Sequence, residues 1–211
     1  MDKFKINGPS KIRGEVSISG SKNAALPILA ATLLFDKNVT IKNLPRVKDI
    51  DTMHNLIKSL GRKISFKNNK KIATISKGKK NNFFAPYSLV KTMRAGILVL
   101  GPLLAKNKKA KVSSPGGCSI GVRPIDIHLK AISKLGVKIQ IEKGYVNAKA
   151  QEGLVGSEIR FSKISVGATE NSILAACLAK GTTTIKNCAI EPEIKDLTNF
   201  LNTAGAKIKW I

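Results

Sequence analysis

Three strongly apolar segments recur along the chain, at residues 23–34, 93–105 and 171–179. Each is long enough for a helix, and each is apolar enough to belong inside a protein rather than on its surface. A short β-like stretch follows each of them, at residues 39–43, 110–114 and 182–187. The pattern therefore predicts three buried helices that each lead into a strand.

A second pattern follows each of these strands. A loop with a proline and an aspartate leads into an amphipathic helix, and Asp51, Asp126 and Asp196 recur 75 and then 70 residues apart. A negative charge there suits the positive end of a helix dipole, and a glycine follows each helix where a C-cap falls. Strands are predicted to close the three units at 62–66, 137–141 and 206–210, with a further strand at 71–75 and 145–149.

The repeat predicts an α/β domain of three strand-helix-strand-helix-strand units, at about residues 21–88, 89–162 and 163–211. The apolar helices are expected to pack together in the centre, with the sheets around them. The third unit ends before the strand that completes the first two, so one sheet edge is left short. We expect the chain to continue in a second chain or to have lost its continuation.

Composition excludes several classes of protein. Of the 211 residues, 43% are hydrophobic, which is ordinary for a globular protein and too high for a disordered one. No apolar stretch is long enough to cross a membrane, and the N-terminus has no apolar secretory signal, so a cytoplasmic location is expected. The three cysteines form no CxxC pair, which argues against a disulfide framework and a zinc site.

The net charge of +24 raises the question of nucleic-acid binding. However, only six of the 37 basic residues are arginine, and the lysines are spread along the chain in runs typical of solvated loops. Few aromatic residues interleave with these runs, and no nucleic-acid-binding motif is present. We therefore interpret the charge as a compositional bias on exposed positions, and a nucleic-acid partner is disfavoured.

Two cations lie at the starts of predicted apolar helices. Lys22, next to Asn23, begins the first helix, where a lysine beside free backbone N–H groups makes an anion site. The alternative is a capped helix start with an exposed lysine. Arg94 lies in the first turn of the second helix, and it either binds a partner anion or forms a salt bridge within the protein.

A glycine-rich loop lies within the segment at residues 114–128 and contains Cys118, with Arg123 five residues later. Glycines let the backbone approach a ligand or move as a lid, and a nearby cation stabilises a reactive thiolate. An inert buried thiol is the alternative; it fits Cys177 and Cys188 better than Cys118. His128, on the following helix, is interpreted as structural.

The chain resembles the UDP-N-acetylglucosamine 1-carboxyvinyltransferases in six segments along its whole length: SGSKNAALPIL, NLPRVKDIDTM, APYSLVKTMRAGILVLGPLLA, PGGCSIGVRPIDIHL, GATENSILAACLA and EPEIKDLTNFL. It is more distantly similar to the enolpyruvylshikimate-phosphate synthases, which share the repeated fold, an inside-out α/β barrel, but lack the PGGCxIG loop. The resemblance implies transfer of the enolpyruvyl group of phosphoenolpyruvate to the 3-hydroxyl of UDP-N-acetylglucosamine, with release of phosphate. This is the first committed step of peptidoglycan synthesis. No metal or cofactor is implied.

The resemblance also implies roles for individual residues. Cys118 matches the proton donor to the methylene carbon, which also forms an adduct with phosphoenolpyruvate and is alkylated by fosfomycin. The substrate-binding positions carried over from the family are Lys22, Asn23, Arg94, Arg123, Pro124, Ile125, Asp126, Ile127, Lys163, Ile164, Ser165 and Val166.

Members of this family have two similar domains, with the active site in the cleft between them, and this chain matches the N-terminal half. Residues 1–20 match a strand segment of the second domain, and residues 21–211 match the first domain. Three interpretations remain open: an enzyme completed by a separate second half, a degenerate fragment that binds substrate without turnover, or a basic nucleic-acid-binding module. The third is disfavoured, because the cysteine loop would have no purpose there.

Overall fold

The computed structural model describes residues 3–115 and 125–211, so Cys118, Arg123 and Pro124 lie outside the described residues. The first unit contains α1 (Lys22–Ala31), β1 (Val39–Ile41), α2 (Lys48–Ser59), β2 (Arg62–Lys67) and β3 (Ile72–Lys77). A short 3₁₀ helix, Thr32–Leu34, extends α1. All of these elements were predicted from the sequence, with ends that differ by a few residues.

The second unit contains β4 (Phe84–Ala85), α3 (Tyr87–Val90), the 3₁₀ helix Arg94–Val99, α4 (Leu100–Asn107), β5 (Lys109–Ser113), α5 (Asp126–Ser133), β6 (Lys138–Glu142) and β7 (Tyr145–Lys149). The third unit contains β8 (Glu158–Arg160), α6 (Val166–Ala176), β9 (Thr184–Lys186) and α7 (Pro192–Thr203). Helix α6 begins five residues before the predicted start of the third apolar helix.

The first two units share one strand arrangement. Strands β1 and β2 both pair antiparallel with β3, and β5 and β6 both pair antiparallel with β7. In addition, β4 pairs in parallel with β5, and β8 pairs in parallel with β9. Each parallel pair is joined through an apolar helix, as parallel strands require. The α/β repeat predicted from the sequence is confirmed.

The three apolar helices pack together in the centre of the fold, as expected. Leu29 of α1, Leu100 and Leu104 of α4, and Leu174 of α6 have no exposed surface. The amphipathic helices α2, α5 and α7 pack against this centre through one face each. None of the helices within the described ranges is long and apolar enough to cross a membrane.

The prediction of one continuous helix over residues 93–105 was wrong. The segment is a 3₁₀ helix followed by α4, and the break lies where Asn171 of α6 enters the hydrogen-bond ladder. The Gly101 N–H donates to Asn171 Oδ1 at 2.7 Å, and Asn171 Nδ2 donates to the Ile97 carbonyl at 3.1 Å. An α-helix would join Gly101 directly to Ile97, so the inserted amide explains the break.

The strand predicted at residues 206–210 was also wrong, because none of these residues forms a strand. Strands β2 and β6 obtain their backbone partners from the strand that follows each of them, β3 and β7. Among the described residues, the third unit has no such following strand. The segment is instead fixed by Asn202, whose side chain bonds the N–H and carbonyl of Ile208 at 2.8 and 2.9 Å.

Residues 3–20 form neither helix nor strand, and their large apolar side chains face solvent. Phe4 is 97% exposed and Ile12 is 94% exposed. Val16 and Ile18 precede α1, as β4 and β8 precede the other two apolar helices, but they pair with no described strand. The assignment of residues 1–20 to the sheet of another domain stays a prediction.

Candidate functional site

The N-terminal turns of four α-helices and one 3₁₀ helix meet at a cavity of about 850 Å³, called the cleft below. First-turn residues line it: Lys22 and Asn23 of α1, Asp49 of α2, Arg94 of the 3₁₀ helix, Val166 and Gly167 of α6, and Glu193 of α7. The N-terminus of a helix carries unpaired N–H groups and partial positive charge. Several such ends around one cavity favour an anionic ligand.

Serine caps determine where two of these helices begin. The Ser21 hydroxyl accepts a hydrogen bond from the Ala24 N–H at 3.3 Å, and the Ser165 hydroxyl accepts one from the Ala168 N–H, also at 3.3 Å. Each cap satisfies one of the first backbone N–H groups of its helix. The caps therefore fix the start of α1, which carries Lys22, and the start of α6, which also lines the cleft.

The two cations of the cleft have different surroundings. Lys22 Nζ lies 3.0 Å from Asp49 Oδ2, and both side chains are partly exposed. Arg94 is exposed and forms no salt bridge with residues 3–115 or 125–211. Within those residues, the alternative interpretation of Arg94 as half of an intraprotein salt bridge is not observed.

The structure brings together six of the twelve residues predicted to bind substrate. Those lining the cleft are Lys22, Asn23, Arg94, Ile164, Ser165 and Val166. Lys163 is exposed and adjoins this group in the chain, but it does not line the cleft. Cys118, Arg123 and Pro124 lie outside the described residues, so their roles stay predictions.

The remaining predicted residues lie at the start of α5. Ile125 precedes this helix and packs against the core, and Asp126 is its first residue, with Oδ2 at 3.8 Å from Lys130 Nζ. Ile127 lines a second depression of about 630 Å³ between α5 and the end of β8. The Asp126 and Ile127 side chains are thus separate from the cleft, and their role in substrate binding stays a prediction.

Three acidic residues line the cleft although no site role was predicted for them: Asp49, Glu170 and Glu193. Glu170 is only 5% exposed, and burial raises its pKa to about 8, with a further contribution from Glu193 and then Glu191. Its signal in the sequence was a carboxyl group in the short polar stretch that precedes the third apolar segment. That signal does not show which cavity the group faces.

His128 also lines the cleft, although it was interpreted as structural. It is buried, and its Nδ1 lies 3.3 Å from Nδ2 of Asn171. Because an amide nitrogen can only donate, Nδ1 must accept, which places the proton of the neutral ring on Nε2. Burial, and then the charge of Arg94, lower the His128 pKa to about 4, against the opposing charge of Asp126. His128 thus lines the cleft as a neutral side chain at physiological pH.

Cys177 fits the interpretation of an inert thiol. It caps the C-terminal end of α6 and is partly buried, and burial raises the pKa of its thiol to about 11. The thiol is therefore protonated and weakly nucleophilic at neutral pH. Within the part of the chain that the structure describes, no group of three or more histidine, cysteine, aspartate or glutamate residues is placed to hold a metal ion.

Comparison with known proteins gives a consistent picture. The family model for EPSP synthase (3-phosphoshikimate 1-carboxyvinyltransferase) matches residues 6–210. A protein of Pelagibacter ubique is 65% identical over 210 residues, and one of Acinetobacter guillouiae is 56% identical over 211 residues. Both relatives are named UDP-N-acetylglucosamine 1-carboxyvinyltransferase. Each match includes 100% of this chain but only 50% of the relative, so the chain spans about half the length of these relatives.

Solved structures share the fold. The enolpyruvyl transferase NikO from Streptomyces tendae superposes with a TM-score of 0.81 at 21% identity, covering 96% of this chain and 47% of that one. An EPSP synthase from Acinetobacter baumannii superposes with a TM-score of 0.69 at 18% identity, covering 86% of this chain and 42% of that one. At these identities the likeness establishes the fold.

Proposed function

Since this chain belongs to the family of EPSP synthase (3-phosphoshikimate 1-carboxyvinyltransferase), we propose that it is the N-terminal half of an enolpyruvyl transferase acting on UDP-N-acetylglucosamine. The full activity moves the enolpyruvyl group of phosphoenolpyruvate to the sugar 3-hydroxyl and releases phosphate, in the cytoplasm and for peptidoglycan synthesis. The name of the relatives that are 65% and 56% identical supports this choice of acceptor.

One observation carries the proposal: the helix N-termini that meet at the cleft, together with Lys22 and Arg94. Both substrates are anions that carry phosphate, and free N–H groups at helix ends bind phosphate oxygens. Preorganised donors of this kind also stabilise charge that develops as the ketal intermediate forms and loses phosphate. Lys22, Asn23 and Arg94 are thus proposed to hold phosphoenolpyruvate and the nearby part of the UDP-sugar.

The other binding residues are proposed around this centre. Residues 163–166 contact the nucleotide along the edge formed by the start of α6, where Ile164, Ser165 and Val166 line the cleft. Residues 123–127 approach the same substrate from the start of α5. Cys118, in the segment between β5 and α5, is proposed to protonate the methylene carbon of phosphoenolpyruvate while the sugar hydroxyl attacks the adjacent carbon.

The cleft is one wall of the complete site in this proposal. The chain spans about half of its relatives, and a second half is proposed to supply the base for the sugar hydroxyl and further cations. Residues 3–20 are proposed to pair through their backbone with the sheet of that half. This pairing would cover their apolar side chains, which face solvent here. A separate chain carrying it is the proposed protein partner.

Phosphate release tests the activity. The 211-residue chain is incubated with both substrates, alone and with the complementary half of the Pelagibacter ubique relative. We expect release only with both halves present, and its loss when Cys118 is replaced by Ala. Robust turnover by the chain alone would refute the need for a second half, and no turnover by the reconstituted pair would refute the transferase.

Fosfomycin labelling tests the cysteine separately. The chain is treated with fosfomycin in the presence of UDP-N-acetylglucosamine and then analysed by mass spectrometry. We expect Cys118 to be labelled faster than Cys177 or Cys188. The raised pKa of Cys177 makes that thiol an internal control for an unreactive group. Equal labelling of all three thiols would instead support a degenerate fragment without an assembled site.

A further inference from the structure

Glu170 differs from the polar residues beside it on α6, because it has no hydrogen-bond partner within residues 3–115 and 125–211. The neighbouring hydroxyls are bonded: Thr169 donates to the Ser165 carbonyl at 2.9 Å, and Ser172 donates to the Ala168 carbonyl at 2.7 Å. Glu170 is nevertheless 95% buried, since only 5% of its surface is exposed, and it lines the cleft. The carboxyl group is not among the fully enclosed side-chain atoms that lack a partner, and a ligand or water in the cleft can hydrogen-bond to it.

The charged and titratable groups around Glu170 come from each described element that lines the cleft. They are Lys22 on α1, Asp49 on α2, Arg94 on the 3₁₀ helix, His128 on α5, and Glu193 on α7 with Glu191 before it. Lys22 is already paired with Asp49 at 3.0 Å. Glu193 and Glu191 raise the pKa of Glu170 to about 8 together with burial, which is the main cause.

The charge balance of the cleft also favours a neutral Glu170. Among the described lining residues, Lys22 and Arg94 are cations and His128 is neutral. With Asp49, Glu170 and Glu193 all ionised, three carboxylates would face these two cations. Among these described side chains, a protonated Glu170 removes one of the three negative charges that would face an anionic substrate and adds an O–H donor.

We infer that Glu170 remains a neutral carboxylic acid in the cleft and donates a hydrogen bond to an anionic oxygen of the bound substrate, so that its ionisation weakens binding. This inference rests on the proposed function, because it takes the ligand of the cleft to be an anion. Glu170 would then determine the pH range in which the site binds its substrate. The Glu170 hydroxyl would also increase the affinity of the cleft for anions that accept a hydrogen bond from it.

Calorimetric titration of UDP-N-acetylglucosamine, and separately of inorganic phosphate, tests the inference from about pH 6 to about pH 9.5. For the wild-type chain we expect affinity to fall above about pH 8, by up to about tenfold per pH unit. Binding there should also take up a proton, measured with buffers of different ionisation enthalpy. The variant Glu170→Gln keeps a donor that cannot ionise, so it should hold the neutral-pH affinity and lose the proton uptake.

Glu152→Gln is the matched control, because it removes an exposed carboxyl away from the cleft. It should keep the wild-type pH profile. Weaker binding by Glu170→Gln at every pH would overturn the inference, because it would show that the ionised carboxylate is needed. Identical pH profiles for wild type and Glu170→Gln would overturn it as well.

A carboxyl-carbon NMR titration of Glu170 separates this inference from the proposed function. A signal that titrates near the ordinary carboxyl range would overturn the inference, whatever the cleft binds. A signal that titrates near pH 8 supports it. If the wild-type chain binds neither UDP-N-acetylglucosamine nor phosphate at any pH, the proposed function fails, and the hydrogen bond to substrate fails with it.

Discussion

His54 is buried in the first unit, and neither of its ring nitrogens bonds any described residue. Its ring meets Phe66 edge-on, with ring centroids 4.9 Å apart, so its surroundings are apolar. Burial is the main reason that its pKa falls to about 4, and Lys58 and Lys70 add to this against the opposing charge of Asp51. Protonation of His54 therefore opposes folding.

This predicts an acid-sensitive stability. The folded pKa lies below the unfolded value, so the unfolded chain binds the proton first as the pH falls. The contribution of His54 to the free energy of unfolding is fully present above about pH 6.5. It declines toward about pH 4, by up to about 1.4 kcal/mol per pH unit. In urea unfolding measurements at several pH values, His54→Leu should reduce the dependence of the free energy of unfolding on pH by the contribution of one proton. An unchanged slope would contradict the prediction.

Some residues of the cleft could be found from the sequence, and others could not. Lys22 and Arg94 stood out because a cation at the start of an apolar helix needs a partner. Glu170 and Asn171 did not, because their significance depends on groups far away in the chain. Asn171 contacts Gly101 and Ile97, and no local periodicity shows such a contact.

At the scale of elements, the first two units use the same strand arrangement with different outward side chains. In the second unit, Lys109, Lys149 and Lys138 lie directly opposite one another across β5, β7 and β6. In the first unit, three hydroxyl residues form such a row: Thr40, Thr74 and Ser65. A row of this kind thus forms without lysine, and like charges in register destabilise a sheet.

Replacing the central lysine should therefore stabilise the domain. Lys149→Thr is expected to raise the free energy of unfolding by about 0.2–1 kcal/mol at low salt. The gain should shrink at high salt, because screening weakens the repulsion in the parent. Lys63→Thr is the matched control, since Lys63 faces the neutral Ser76. Equal gains for both variants would point to strand propensity instead of charge.

The Asn171 side chain joins α6 to the 3₁₀ helix and α4. Asn171→Ala removes both bonds to the broken ladder and leaves the buried Gly101 N–H without its acceptor. We expect a loss of about 3 kcal/mol or more, measured by urea unfolding, from the combined bonds and the unpaired donor. Asn202→Ala removes an exposed pair of bonds and should cost about 1 kcal/mol or less. Similar losses would contradict the special role of Asn171.

At the scale of the whole molecule, the periodic core was predictable and the edges were not. The apolar helices and the strands after them follow from local pattern, because burial on all sides leaves a clear signal. The strand expected at 206–210 failed because a strand also needs a partner, and none of the described strands provides one. The 3₁₀ helix Arg94–Val99 was missed because a side chain from another unit creates it.

Residues 3–19 should contribute little to the stability of the fold. Their large apolar side chains are more than four-fifths exposed, from Phe4 at 97% to Ile18 at 82%. A chain that begins at Gly20 should keep its free energy of unfolding to within about 0.5 kcal/mol, as for changes that remove no packed contact. It should also self-associate less in sedimentation experiments, because exposed apolar surface favours association. A large loss of stability would show that this segment packs on the domain.

The close contact between α4 and α6 has a consequence for how this sequence can change over generations. A β-carbon at Gly101 would lie 2.5 Å from the Asn171 carbonyl oxygen and 2.6 Å from its Oδ1. Because the nearest of these atoms belongs to the backbone of α6, no substitution at position 171 makes room for a side chain at position 101. In a library randomised at both sites, folded survivors should therefore keep glycine at 101, whereas position 171 can vary only with loss of the hydrogen bonds that Asn171 makes. Of these two residues 70 positions apart, one is thus constrained by space and the other by hydrogen bonding.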